Sequence, residues 1–213
     1  MAITFASGLS FLGGFTVTAA LPPENTAAWF GGGRAGAPLL STVQRITYAT
    51  DTATASVRGP LSLPRFGLAA AGNTTDGWFG GGFTVSSIVQ RITYATDTAT
   101  ASVRGPLSQA RYSLAAAGNT TDAWFGGGLF TATVDRITYA TDTATASVRG
   151  PLSSARNKLA AAGNDTDGWF AGGNPGPVST VDRITYATDT ATASVRGPLS
   201  GGKFGLAAAG GIQ

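Results

Sequence analysis

From Arg65 to Ala110 the hydrophobic and polar positions read as four short strands. Phe66-Gly67-Leu68-Ala69-Ala70-Ala71 is a small-residue apolar run, closed by turn chemistry at Gly72-Asn73-Thr74-Thr75-Asp76. Gly77-Trp78-Phe79-Gly80-Gly81 is the second strand, and a loop from Gly82 to about Ser87 follows it. Val89-Gln90-Arg91-Ile92-Thr93-Tyr94-Ala95 alternates in polarity as a half-buried strand does. Thr96-Asp97-Thr98 predicts a turn and Ala99–Arg104 a fourth strand. Gly105-Pro106 ends that strand, because proline has no N–H to give to a ladder. No window sustains a 3.6-residue period, so the chain is expected to be all-β.

The pattern repeats. The eighteen residues from Arg45 to Ser62 return unchanged from Arg91, Arg136 and Arg183, at spacings of 46, 45 and 47 residues. A Trp-Phe pair followed by glycines keeps step with them at Trp29, Trp78, Trp124 and Trp169. Four antiparallel strands in each period of this length predict the blades of a β-propeller. Small side chains suit the strand crowded nearest the axis, and the Leu-Ala-Ala-Ala runs at Leu68, Leu114, Leu159 and Leu206 provide them. Trp and Phe at successive positions point to opposite faces of a strand, so each blade can press one ring onto each neighbour. Trp29, Trp78, Trp124 and Trp169, with Tyr48, Tyr94, Tyr139 and Tyr186, are therefore read as structural.

Runs of the inner-strand type begin at Phe15, Phe66, Tyr112, Asn157 and Phe204, one more than there are Trp-Phe strands. The expected architecture is a single domain over residues 1–213, with four complete repeats of about 46 residues and a fifth blade shared by the two termini. Ala2–Ser7 and Leu9–Leu12 would supply its outer strands; a four-bladed ring and closure across two chains are the alternatives. Residues 1–21 fit this phase better than a signal peptide, since no Lys or Arg precedes the apolar stretch and glycines interrupt it.

Composition narrows the chemistry. Charged residues are 12% and glycine is 31 of 213, which suits tight turns and close backbone contacts. There is no Cys and no His, so thiolate chemistry and the commonest general base and metal ligand are missing. The net charge of +3 is carried mostly by arginines copied with the repeat, which reads as structure rather than a nucleic-acid surface. Asp51, Asp97, Asp142 and Asp189 in one set of turns, and Asp76, Asp122 and Asp167 in another, read as turn formers spread around a ring. They do not converge as a hard cation requires. Asp135 and Asp182 stand where other repeats carry Gln44 and Gln90. No nucleophile elbow, phosphate loop or dinucleotide fingerprint occurs in a fitting context. No catalysis, cofactor, metal or membrane span is expected, and one chain is expected to act as a monomer.

The run Arg111-Tyr112-Ser113-Leu114 … Trp124-Phe125-Gly126-Gly127 … Arg136-Ile137-Thr138-Tyr139 … Pro151-Leu152 resembles a kelch repeat. The likeness lies in the basic residue opening the first strand, the double glycine after the second, the tyrosine of the third and the Pro-Leu exit. Kelch blades usually carry a tryptophan in the fourth strand, where this chain has Ala55, Ala101, Ala146 and Ala193. Short, near-identical, Ala/Thr/Gly-rich repeats of this kind are similar to those of proteins predicted from environmental bacteriophage genomes. The resemblance implies a non-catalytic binding or structural propeller, with a virion or host-recognition role. A multivalent glycan-binding lectin, or an engineered or recently amplified scaffold without a ligand, are the other readings.

A binding face is suggested by comparing the repeats. The loops joining second to third strand differ: Gly33–Pro38, Phe83–Ser86, Leu129–Thr131 and Asn174–Pro177. The short loops leading into the first strands differ too, whereas the turns of the opposite face are nearly constant. Arg34, Pro38, Phe83, Val85, Leu129, Phe130, Asn174 and Pro175 are the candidate contact residues, for a protein or glycan partner.

Overall fold

The computed structural model describes residues 26–83 and 86–210. These form four antiparallel meander sheets, one for each repeat. The first holds β1 (Ala27–Gly31), β2 (Val43–Thr47) and β3 (Ser56–Arg58). The second holds β4 (Ala69–Gly72), β5 (Asp76–Gly80), β6 (Val89–Thr93) and β7 (Ser102–Arg104). The third comprises β8 (Ala115–Gly118), β9 (Asp122–Gly126), β10 (Val134–Thr138) and β11 (Ser147–Arg149). The fourth comprises β12 (Ala160–Gly163), β13 (Asp167–Ala171), β14 (Val181–Thr185) and β15 (Ser194–Arg196). The inner strands β4, β8 and β12 neighbour one another, as in a propeller-like stack of repeats. The described residues do not close into a ring. The expected strand at Phe15–Ala20 and the outer strands expected within Ala2–Leu12 lie outside the described residues.

Three boundaries differ from expectation, each for a local reason. The third strand stops at Thr93 and Tyr94–Thr96 forms a 3-10 turn, which swings the tyrosine ring out of the ladder. The inner strand starts at Ala69 rather than Phe66 because Gly67 has φ +66°, leaving Phe66 a single bridge to Phe83. The fourth strand shortens to Ser102–Arg104 because the Ala99 N–H donates back to the Thr96 carbonyl, extending the turn. The segment from Phe204, expected as a further inner strand, pairs with no strand among the described residues. It still docks in register: Gly173 N–H donates to the Lys203 carbonyl at 2.7 Å, as Gly82 does to Arg111 and Gly128 to Arg156.

The sheets are joined by one repeated clamp. The swung-out Tyr94 stacks on Trp29 of the preceding sheet, with centroids 3.8 Å apart and planes 9° apart. Tyr139 on Trp78 and Tyr186 on Trp124 repeat the stack at 3.8 and 3.7 Å. The aspartate three residues after each tyrosine reaches the same neighbour. Asp97 accepts from Trp29 Nε1 at 2.8 Å and from Arg45 Nη1 at 3.0 Å, with Arg58 Nε 3.5 Å away. Asp142 takes Trp78, Arg91 and Arg104 in the same way, and Asp189 takes Trp124, Arg136 and Arg149. Sequence reasoning read these aspartates as local turn formers; their carboxylates instead act across the gap between sheets. Phe79 packs the other way: a Cβ on Gly31 of the preceding sheet would lie 2.9 Å from its ring. The double glycine is required as well, since Gly81 has φ +73° and a Cβ there would stand 2.6 Å from the Arg111 carbonyl of the next sheet. With the stack placed here, the fourth-strand position needs only a small residue, and Ala101, Ala146 and Ala193 are buried in the core.

A second buried hub holds the second, third and fourth sheets together. Arg111 donates to the carbonyls of Gly127, Thr133 and Phe125 and to Asp135 at 2.7 Å, and neither side chain of the ion pair is exposed. Arg156 and Asp182 repeat this at 2.6 Å. In the second sheet Gln90 takes the carboxylate's place, accepting from Arg65 at 3.0 Å and donating to Ser62 Oγ. Burial pulls the Arg65 guanidinium down to about 10. Burial lowers Arg111 too, and Asp135 opposes that shift. Asp135 and Asp182 thus do more than stand in for glutamine: they neutralise buried cations.

Three outcomes are expected for stability. Trp124→Ala should cost about 3–5 kcal/mol, the range for a large buried aromatic. A double-mutant cycle with Tyr186→Ala should leave a coupling of about 0.5–1.5 kcal/mol, whereas strict additivity would deny the stack. Asp135→Ala strands the Arg111 charge and should cost about 3–5 kcal/mol. Asp135→Gln, which reproduces the partner that Gln90 gives Arg65, should cost clearly less. Equal losses in chemical denaturation would show that the pair carries no such role. The stacked tyrosines give the third outcome. Burial first, and Asp76 and Tyr48 second, push Tyr94 up to about 12, and burial raises Tyr139 and Tyr186 as well. An unfolded chain ionises these phenols near pH 10 while the folded one keeps them protonated. Their contribution is therefore whole below about pH 10 and lost as the pH rises toward 12. Phenolate absorbance of these three rings should appear together with loss of structure, and their reversible ionisation near pH 10 in the folded protein, read in a Tyr48→Phe, Tyr112→Phe background, would contradict the stacking.

Candidate functional site

The loops that vary between repeats share one face of the stack. The loops that follow β5 and β13 bridge to segments leading into inner strands: Phe83 to Phe66, Asn174 to Asn157, Val178 to Lys203, and Ser86 to the next sheet's Arg111. The leading segments are linked to one another by a backbone chain, Ser113 N–H to Gly67 O, Lys158 to Ser113 and Gly205 to Lys158, at 2.7–2.8 Å. Position 67 and its copies all have positive φ, which Gly67 and Gly205 adopt freely, whereas Ser113 and Lys158 do so with a Cβ. This chain gives the variable loops a fixed floor.

The floor carries a strip of rings. Phe66 and Phe83 lie 5.0 Å apart, Phe83 meets Tyr112 edge-on at 5.6 Å, and the Arg34 guanidinium sits 5.1 Å from the Phe66 centroid. The next loop continues from it, as Leu129 N–H donates to the Tyr112 carbonyl. Leu129 and Phe130 are 40% and 50% exposed and both have positive φ, a conformation that costs a non-glycine residue free energy. Farther along, Lys158 Nζ lies 5.6 Å from the exposed ring of Phe204.

Of the sequence candidates, Arg34, Phe83, Leu129 and Phe130 come together along this strip. Pro38 and Pro175 are exposed at their loop tips, Asn174 is tied down by paired backbone bonds to Asn157, and Val85 lies outside the described residues. Phe66, Tyr112, Lys158 and Phe204 were missed. Their signal was present on comparing the repeats, where Phe66, Tyr112, Asn157 and Phe204 vary at one position between a constant basic residue and a constant Leu-Ala-Ala-Ala run.

Electrostatically the two faces differ. Arg34, Lys158 and Lys203 are exposed on the variable face, while the described aspartates other than buried Asp135 and Asp182 belong to the opposite turns and the inter-sheet clamps. On that opposite face Asn73, Asn119 and Asn164 each accept from the N–H groups two and three residues on, and Asn73 and Asn119 donate to the next repeat's turn, Nδ2 to the Thr120 carbonyl at 3.4 Å and to the Asp165 carbonyl at 3.3 Å. Those turns are spent on structure. Among the described residues, no three His, Cys, Asp or Glu side chains gather as metal ligands. No described helix is long and apolar enough to cross a membrane. Compared with known proteins, the chain matches no family model and no curated sequence.

Proposed function

We propose that this chain is a non-catalytic binding module, a kelch-like β-propeller whose contact surface is the variable face. The observation that carries this reading is the Arg34–Phe66–Phe83–Tyr112 strip with Leu129 and Phe130 beside it. Exposed rings and strained apolar loop tips on a rigid repeated frame are a contact surface in search of a partner. With Arg34 and Lys158 beside the rings and no described aspartate exposed on that face, the surface suits an acidic protein or an anionic glycan. Nucleic acid is a poor fit, because Arg45, Arg58, Arg91, Arg104, Arg136 and Arg149 are committed to aspartates. The likeness of the repeats to phage proteins supports a virion or host-recognition role, and neighbouring tail or virion genes would be the expected setting. The segment Lys203–Gly210, docked as the start of a further blade, supports a frame of more than four blades.

The multivalent lectin is the second reading. The strip occurs once, so a lectin with one equivalent site per repeat would have to use the constant turns instead. Binding of labelled protein to host surfaces and to a glycan array separates the two. Phe83→Ser with Phe130→Ser should reduce binding at least tenfold with little change in melting temperature. Retained binding by that variant would move the site off this face, and no binding to any surface would favour a scaffold without a ligand.

A further inference from the structure

Because the eighteen residues from Arg45 recur unchanged, the three inter-sheet interfaces show what that stretch does when it is covered, and the two ends of the stack show it uncovered. On the fourth sheet Trp169 has neither a stacked tyrosine nor an aspartate on its Nε1 among the described residues, as Trp29, Trp78 and Trp124 have. Arg196 is exposed, whereas Arg58, Arg104 and Arg149 are half-buried beside an aspartate. A Cβ on Gly59, Gly105 or Gly150 would lie 1.8–1.9 Å from a carbonyl of the next sheet, but on Gly197 it would meet nothing within 4 Å. This end displays the donor half of a clamp: an indole N–H and two guanidinium groups.

The first sheet displays the other half. Tyr48 is 48% exposed against 8% and 7% for Tyr139 and Tyr186. Asp51 is exposed where Asp97, Asp142 and Asp189 are buried. Tyr48–Thr50 already forms the same 3-10 turn that presents the ring and carboxylate elsewhere, so the acceptor half is preformed. Both halves are exposed in one chain, so they do not meet each other there. Residues 1–25 and 211–213 contain no Trp, Tyr, Asp, Arg or Lys, and so lack every residue type from which the clamp is built elsewhere.

The backbone is complementary in the same sense. The first sheet has three strands among the described residues. Among the described residues a cavity of about 500 Å³ opens beside Trp29, Phe30, Gly31, Leu68 and Phe79. Phe30 is 57% exposed there, against 4% for Phe79. At the other end, Leu206–Gly210 is an inner-strand sequence held against the fourth sheet without a second strand beside it: a Cβ on Gly172 would touch the Leu206 side chain, and one on Gly210 the Gly163 carbonyl.

We propose that the first and fourth sheets are mating surfaces and that the partner is a second copy of this chain, joined head to tail. Tyr48 of one copy stacks on Trp169 of the other, and Asp51 accepts from Trp169, Arg183 and Arg196. Such an interface joins unlike patches, so two copies close on each other or further copies extend a row. This pairing is independent of what the variable face binds.

Sedimentation of the full chain over a range of concentrations, with two single-face variants, tests it. Asp51→Arg blocks the acceptor end and Arg196→Asp the donor end, both at exposed positions, and unchanged melting at low concentration confirms that each variant folds. The parent should gain mass with concentration, and each variant alone should need at least about tenfold more protein to associate. An equimolar mixture should form a one-to-one dimer, because each variant keeps the end the other lacks. A parent that stays monomeric at every concentration overturns the proposal. So do variants that assemble like the parent, or a mixture that stays monomeric while the parent assembles.

Discussion

The structure depends on a carboxylate in the gap between one sheet and the next. Asp97, Asp142 and Asp189 are each nearly buried, and each is made tolerable by an indole N–H and two arginines contributed by the preceding repeat. A buried charge with its partners removed is strongly destabilising, while a fully satisfied one fixes the geometry of everything that holds it. The stacked Trp–Tyr pair beside it supplies the apolar half of the contact and shields the carboxylate from water. Angle and spacing between sheets are therefore set by a directional polar contact, where alanine and glycine faces alone would permit sliding.

That constraint explains the division of labour within a repeat. The eighteen-residue stretch, identical in every repeat, supplies the tyrosine, aspartate and arginines of the clamps and buries Asp97, Ala101, Gly105 and Leu107 in the second repeat, and the constant Trp-Phe pair supplies the rings. Loops 82–88, 127–133 and 172–180 differ in chemistry from repeat to repeat. The floor formed by Gly67, Ser113, Lys158 and Gly205 then fixes where the loop side chains emerge.

Much of this is legible in the order of residues alone. The period, the four strands of a repeat and the face bearing the variable loops follow from alternation, turn residues and comparison of the copies. The clamp is not legible there. Asp97 lies 68 residues from Trp29 and 52 from Arg45, and in sequence it sits in a turn whose residues account for it locally. A contact offset by one repeat leaves no trace in a pattern that is itself periodic, since every copy has the same letters. The buried pairs of Arg111 with Asp135 and Arg156 with Asp182 are hidden differently, because Gln90 satisfies Arg65 without a charge and breaks the correlation that would have linked them. From Phe204 onward propensity marks a strand, but only a hydrogen-bonding neighbour can create one, and among the described residues none pairs with it.

The offset of the clamp also governs how such a chain can change in length. Each repeat gives its indole and arginines forward and its tyrosine and aspartate backward, so a repeat inserted whole between two others finds both mates waiting, and a repeat removed whole leaves its former neighbours matched. A duplication out of phase by half a repeat would separate Trp from its arginines and fail. Recombination between identical eighteen-residue stretches is in phase by construction. Unequal crossing-over can therefore lengthen or shorten the array one sheet at a time, and each added sheet brings another loop free to diverge.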